Sequence, residues 1–195
     1  MTDRTRSAPW TYRALTATTV SRMLLAPVVM ALVLIADGDR SSAATYAAAA
    51  LFFIAALTDF VDGRVARHWA LATPLGSFLD TTADKLLVAL VLFALVGVDH
   101  ASAPVAAAIV ARELVILGLR SAVAVGGTVV EASWLGKIKA GVQFLAILLA
   151  ILRPGDELAG LFIDEWVMLA AAAITVWSGA EYVAKFAPQI RRPGS

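Results

Sequence analysis

The chain has 195 residues, 60% of them hydrophobic, a mean hydropathy of +0.80 and a formal net charge of +1. A soluble domain of this length is far less apolar, so the composition bounds residues 1–195 to a single membrane domain. With no cysteine, disulfides, thiolate catalysis and cysteine-bound metals are excluded, and the scattered basic residues form no stripe suited to nucleic acid.

Runs of mainly apolar residues long enough to cross a bilayer fall near 16–36, 44–67, 76–98, 103–125, 134–153 and 164–186, which predicts an all-α integral membrane protein with six transmembrane helices. Ahead of the first span, Pro9, Trp10, Tyr12 and Arg13 fit either a short interfacial helix or a frayed tail. The first span itself has no clear cleavage site and is expected to stay as an anchor. It also carries Arg22, whose charge fits either a donor site or a lipid headgroup.

Turn-forming or polar residues close the spans: Asp37-Gly38-Asp39, Thr73-Pro74, Asp99-His100, Gly126-Gly127 and Arg153-Pro154-Gly155-Asp156. His68 and His100 read as interfacial loop residues. Arg4, Arg6, Arg13, Arg64, Arg67, Lys137, Lys139, Lys185, Arg191 and Arg192 share alternate ends of the spans, which places both termini in the cytoplasm. Trp10, Trp69, Trp134 and Trp166 sit where an aromatic belt would, whereas Trp177 lies deeper and reads as a packing residue.

The second and third spans hold four carboxylates in otherwise apolar surroundings. Asp59, Asp62, Gly63, Ala66 and Arg67 follow helical spacing and form one stripe; Gly76, Asp80 and Asp84 recur every fourth residue and form another. The short connection over 68–75 makes these helices antiparallel neighbours, so the stripes can face each other. Four clustered carboxylates repel and take up protons unless cations neutralise them, and all-oxygen ligation suits Mg²⁺ or Mn²⁺. A two-ion site that clamps a phosphoryl group is the expectation, with Gly63, Ala66 and Gly76 leaving room for a ligand and Arg67 offering a phosphate-pairing fork. The alternative is that the acids pair only with Arg64, Arg67 and Lys85 while the glycines serve helix packing.

The run from Asp59 to Asp84 resembles the CDP-alcohol phosphotransferase family, whose pattern D-x₂-D-G-x₂-A-R-x₈-G-x₃-D-x₃-D is present at every fixed position. The resemblance implies that Asp59, Asp62, Asp80 and Asp84 bind the metal ions, that Asp84 also serves as the catalytic base, and that Asp62, Gly63, Ala66, Arg67 and Gly76 bind the nucleotide of the donor. It also implies a homodimer. Two departures occur: Leu15-Thr16 stands where the family often has Pro-Asn, and Asp80-Thr81 where it commonly has Asp-Pro.

Outside the motif, Thr19-Val20-Ser21-Arg22, Ala83-Asp84-Lys85-Leu86, Ala111-Arg112-Glu113-Leu114 and Ser133-Trp134-Leu135-Gly136-Lys137-Ile138-Lys139 resemble family members that use sn-glycerol 3-phosphate. This implies phosphatidyl transfer from CDP-diacylglycerol to glycerol 3-phosphate at the cytoplasmic face of a cell membrane, in contact with its lipids. Charges within a membrane usually face a cavity, so Arg112, Arg120, Lys137 and Lys139 are candidates for the acceptor's phosphate. Arg112–Glu113 pairing, with lysines reaching headgroups, is the alternative. Phosphatidylglycerol or inositol phosphate as acceptor stays open, and so does an ion-coupled transporter using the aspartates as cation sites.

Overall fold

A computed structural model describes residues 9–69, 74–125, 134–155 and 157–190, with side chains described over 18–58, 78–122, 138–155 and 157–184. Six α-helices account for nearly all of it: α1 (Pro9–Ala36), α2 (Ala43–Trp69), α3 (Pro74–Gly97), α4 (Ala103–Val125), α5 (Trp134–Leu152) and α6 (Ile163–Ile190). Each matches a stretch read from hydropathy. The clearest difference is at the start, where among the described residues no separate interfacial helix precedes the first span. Pro9 opens α1 itself, because a proline at the first helical position gives up only an N–H that has no partner there.

Local chemistry sets the helix ends. The Ser42 Oγ accepts the Ala44 N–H at 3.2 Å and caps α2. The turn before it is closed by Asp39, whose Oδ1 accepts from the Ser41 hydroxyl at 2.7 Å and the Ser41 N–H at 2.9 Å. Those two bonds hold the Asp39 carboxyl below the ordinary carboxylate range. At the end of α3 the chain reverses through Asp99 in the left-handed region (φ 57), with His100 N–H bonding Leu95 O at 2.8 Å and Asp99 N–H bonding Val96 O at 3.3 Å. That pair of bonds satisfies carbonyls the helix would otherwise leave open.

The chain divides into two compact units after Ala94. In the first, α1 and α2 form an antiparallel hairpin. The buried positions of α1 are Thr19, Arg22, Ala26, Val29, Val33 and Ala36, a stripe repeating every three or four residues. Ala48, Phe52 and Ala55 of α2 and Ala83, Leu87 and Val91 of α3 supply further core. The small residues let helix backbones approach closely.

In the second unit α6 packs against α4 and α5. Arg153, at the end of α5, ties its corner together: Nη1 donates to Asp99 O at 2.8 Å, Nη2 to Glu165 Oε1 at 3.5 Å, and the guanidinium lies 4.0 Å from the centre of the Phe162 ring. Glu165 Oε2 in turn accepts the Phe162 N–H at 2.8 Å, capping α6 from its third position. His100 is a loop residue as expected but is buried, its Nδ1 lying 2.8 Å from Ala150 O. A tight reversal tucks it under the helix ends, which its sequence context does not reveal.

Polarity runs inside out. Arg22, Glu113, Lys139, Gln143, Thr175 and Ser178 lie on buried faces, while Leu24, Val28, Ile35, Phe53, Leu114 and Val176 are exposed. Trp177 belongs with the exposed group at 72% and is not a packing residue. Its neighbours Ser178 and Gly179 occupy the buried face of α6, so the helical turn swings Trp177 outward. Among the described residues, two helical stretches, Thr18–Ala36 and Ile163–Ala184, are long and apolar enough to cross a bilayer. Together with the exposed apolar faces, they are consistent with a membrane protein.

Candidate functional site

The acid stripes divide between described and undescribed side chains. Asp59, Asp62, Gly63, Ala66 and Arg67 lie in α2 and Gly76 in α3, but their side chains fall outside the described residues. Asp80 and Asp84 are described. They sit one turn apart on α3, half-buried at 40% and 36% side-chain exposure, and their Oδ1 atoms converge. The point of convergence is Arg22 Nη1 on α1, which donates to Asp84 Oδ1 at 2.6 Å and to Asp80 Oδ1 at 3.2 Å. Thr19, one turn before Arg22, adds a hydroxyl 3.4 Å from the same Asp80 oxygen.

The geometry tests whether these two carboxylates suit a cation. Two oxygens from successive turns already meet on one positively charged nitrogen, so the backbone places them to share a single cationic centre. Hard, anionic oxygen donors are the set that Mg²⁺ or Mn²⁺ takes. Among the described residues no three or more acidic, histidine or cysteine side chains gather as a metal cluster, and Asp59 and Asp62 lie beyond that description. Arg22, whose charge the sequence assigns to either a donor site or a lipid headgroup, faces the carboxylates of α3.

A second polar group lies in the other unit. Glu113 of α4 accepts from Arg112 Nη1 at 3.2 Å and from Lys139 Nζ of α5, and Arg112 Nη2 donates to Ser178 Oγ of α6 at 3.0 Å. Glu113 and Lys139 are 4% and 6% exposed, and Gln143 is buried one turn beyond Lys139. Three helices therefore close on one trio whose two cations and one anion leave a surplus of one positive charge. Of the four basic residues considered for an acceptor phosphate, Arg112 and Lys139 come together here. Arg120 lies two turns further along α4, and the Lys137 side chain lies outside the described residues.

Ser178 and Gly179 carry no sequence signal that singles them out, yet both shape this site. A Cβ built on Gly179 would come 2.9 Å from Arg112 Cγ, so the glycine is the notch through which the arginine passes. Gly179→Val is expected to lower stability by about 1–3 kcal/mol through overpacking, even though leaving glycine normally favours a helix. Thermal melts in detergent would show it. A variant melting at or above the native temperature would mean that Arg112 has room to move aside.

Comparison with known proteins gives a consistent result. Residues 16–177 match the model of the CDP-alcohol phosphatidyltransferase family. A CDP-diacylglycerol–glycerol-3-phosphate 3-phosphatidyltransferase of Bacillus subtilis (strain 168) is 40% identical over 86% of this chain and 91% of its own length. Proteins of the same name from Sodalis glossinidius (strain morsitans) and Escherichia coli (strain K12) are 39% and 38% identical, over 69% and 71% of this chain and 75% and 77% of theirs.

Proposed function

The chain belongs to the CDP-alcohol phosphatidyltransferase family and is a transferase, and we propose that it moves the phosphatidyl group of CDP-diacylglycerol to sn-glycerol 3-phosphate, giving phosphatidylglycerol phosphate and CMP in phospholipid biosynthesis. The observation that carries this reading is the 40% identity to a glycerol-3-phosphate enzyme over 91% of that relative's length. The buried trio adds a surplus cation of the kind an anionic acceptor needs.

Asp59, Asp62, Asp80 and Asp84 hold divalent metal, Mg²⁺ or Mn²⁺, as two ions. When bound, the metal offsets charge on the donor's diphosphate. Gly63, Ala66, Arg67 and Gly76, with Asp62, receive the nucleotide. Asp84 takes the proton of the acceptor hydroxyl as its oxygen attacks the lipid-bearing phosphorus; the bond to the CMP oxygen breaks and CMP leaves. At least one of Arg112, Arg120, Lys137 and Lys139 provides the charge that binds the acceptor's phosphate.

The same reading has six spans, both termini and the acid stripes at the cytoplasmic side of a bacterial cell membrane, and a homodimer. The concentration of basic residues at alternate span ends supports the orientation.

The test is the product formed by purified protein given CDP-diacylglycerol and one labelled acceptor at a time. Metal-dependent CMP release with glycerol 3-phosphate, and labelled phosphatidylglycerol phosphate as the product, is the expected outcome. CMP release with phosphatidylglycerol or inositol phosphate, but none above background with glycerol 3-phosphate, would reassign the acceptor. Solute flux across sealed vesicles without CMP release would instead mark a transporter.

A further inference from the structure

We propose that Arg22 is a resident counter-cation of the carboxylate site, holding Asp80 and Asp84 together before metal binds and weakening metal affinity by competing for their oxygens. This rests on the reading of Asp80 and Asp84 as metal ligands.

The geometry brings two carboxylates to one cation. A single nitrogen, Nη1, serves both carboxylates, and it contacts the Oδ1 atom of each. Arg22 is 3% exposed, on the buried stripe of α1 between Thr19 and Ala26, whereas its two partners stay partly open. The guanidinium is thus buried while the two carboxylate side chains stay partly exposed. This arginine gathers two carboxylates from successive turns of another helix.

Charge arithmetic gives the arrangement its consequence. Taken by themselves, these two carboxylates and one guanidinium carry one negative charge, so the two anions do not face each other bare and the group still attracts a dication. A guanidinium stays protonated throughout the range in which proteins survive, so its opposition to the incoming metal does not switch off with pH. An ion binding Asp80 and Asp84 through their Oδ1 atoms shares those oxygens with Nη1 or displaces it, and one binding through the Oδ2 atoms still sits beside the guanidinium, so it meets a like charge each way.

The experiment measures Mn²⁺ binding directly, by the electron paramagnetic resonance signal of the free ion, with purified protein and no substrates. Melting temperatures are recorded in parallel in chelator and in Mn²⁺. Arg22→Gln is expected to bind Mn²⁺ at least about tenfold more tightly than the native protein, a shift of one logarithmic unit. It should also melt lower in chelator and regain that loss in Mn²⁺. Arg22→Lys keeps the charge and should restore affinity to within about threefold of native. If Arg22→Gln can be recovered only when Mn²⁺ is present throughout purification, the metal has replaced the guanidinium and the proposal stands. Unchanged or weaker Mn²⁺ binding by Arg22→Gln would overturn it, as would failure to recover the variant with or without Mn²⁺. A native protein that binds no Mn²⁺ would instead remove the metal-ligand reading, and this inference with it.

Discussion

Replacing Asp84 by asparagine is expected to lower CMP release from CDP-diacylglycerol by at least about a thousandfold, within the range that loss of a general base produces. CDP-diacylglycerol binding should remain measurable. The amide has nearly the shape of the carboxylate and can still accept a hydrogen bond through its oxygen, so Arg22 keeps a partner at the position where it donates at 2.6 Å. Asp84 is also partly exposed, and the substitution leaves no buried cavity. What it removes is the capacity to take a proton at neutral pH. Turnover and donor affinity, measured on the same preparation, separate this role from simple ligation. A drop in donor affinity as large as the drop in rate would assign Asp84 chiefly to metal or nucleotide binding. The matched Asp80→Asn variant sharpens the comparison, because Asp80 shares Arg22 but is assigned no proton transfer.

Arg22 shows where the sequence stops being readable. Its position among Thr19, Ala26 and Val29 carries the periodic mark of a buried face, and a charge within a membrane helix is expected to face inward. Those two facts predict burial but name no partner, since Asp80 and Asp84 lie 58 and 62 residues away. Only the folded chain, which brings the Arg22 side chain of α1 to α3, supplies the pairing.

The helices themselves were legible because apolar length and turn chemistry act locally: Ala103–Val125 is the stretch read from hydropathy. The facing of single residues was less so. Trp177 sits in an apolar run where every position looks equally fit for burial, and its outward direction follows from the neighbouring Ser178 and Gly179 being claimed by Arg112. Adjacency misled in a different way at Glu113. Arg112 stands next to it in sequence and is an obvious partner, which conceals that Lys139 of another helix shares the same Oε1 atom.

That shared oxygen sets up the largest expected effect on stability. Glu113 is the only anion of a buried trio, so Glu113→Gln raises the trio's charge from +1 to +2 and leaves Arg112 and Lys139 facing each other across an amide. Breaking a buried pair in this way typically costs about 3–5 kcal/mol, because the remaining charge is desolvated without compensation. Lys139→Met instead takes the trio to zero and leaves Arg112 paired with Glu113, which should cost about 1–2 kcal/mol. Although a glutamate-to-glutamine change is smaller in shape than a lysine-to-methionine change, it should be the more damaging of the two. Combining them returns the trio to +1 with Arg112 alone, so the double variant should be more stable than the sum of the single losses predicts, by about 1 kcal/mol or more. Unfolding in mixed micelles of increasing denaturing detergent would measure all three. Strict additivity in the double would mean that Lys139 is not coupled to Glu113 and that the Arg112 pair alone neutralises it.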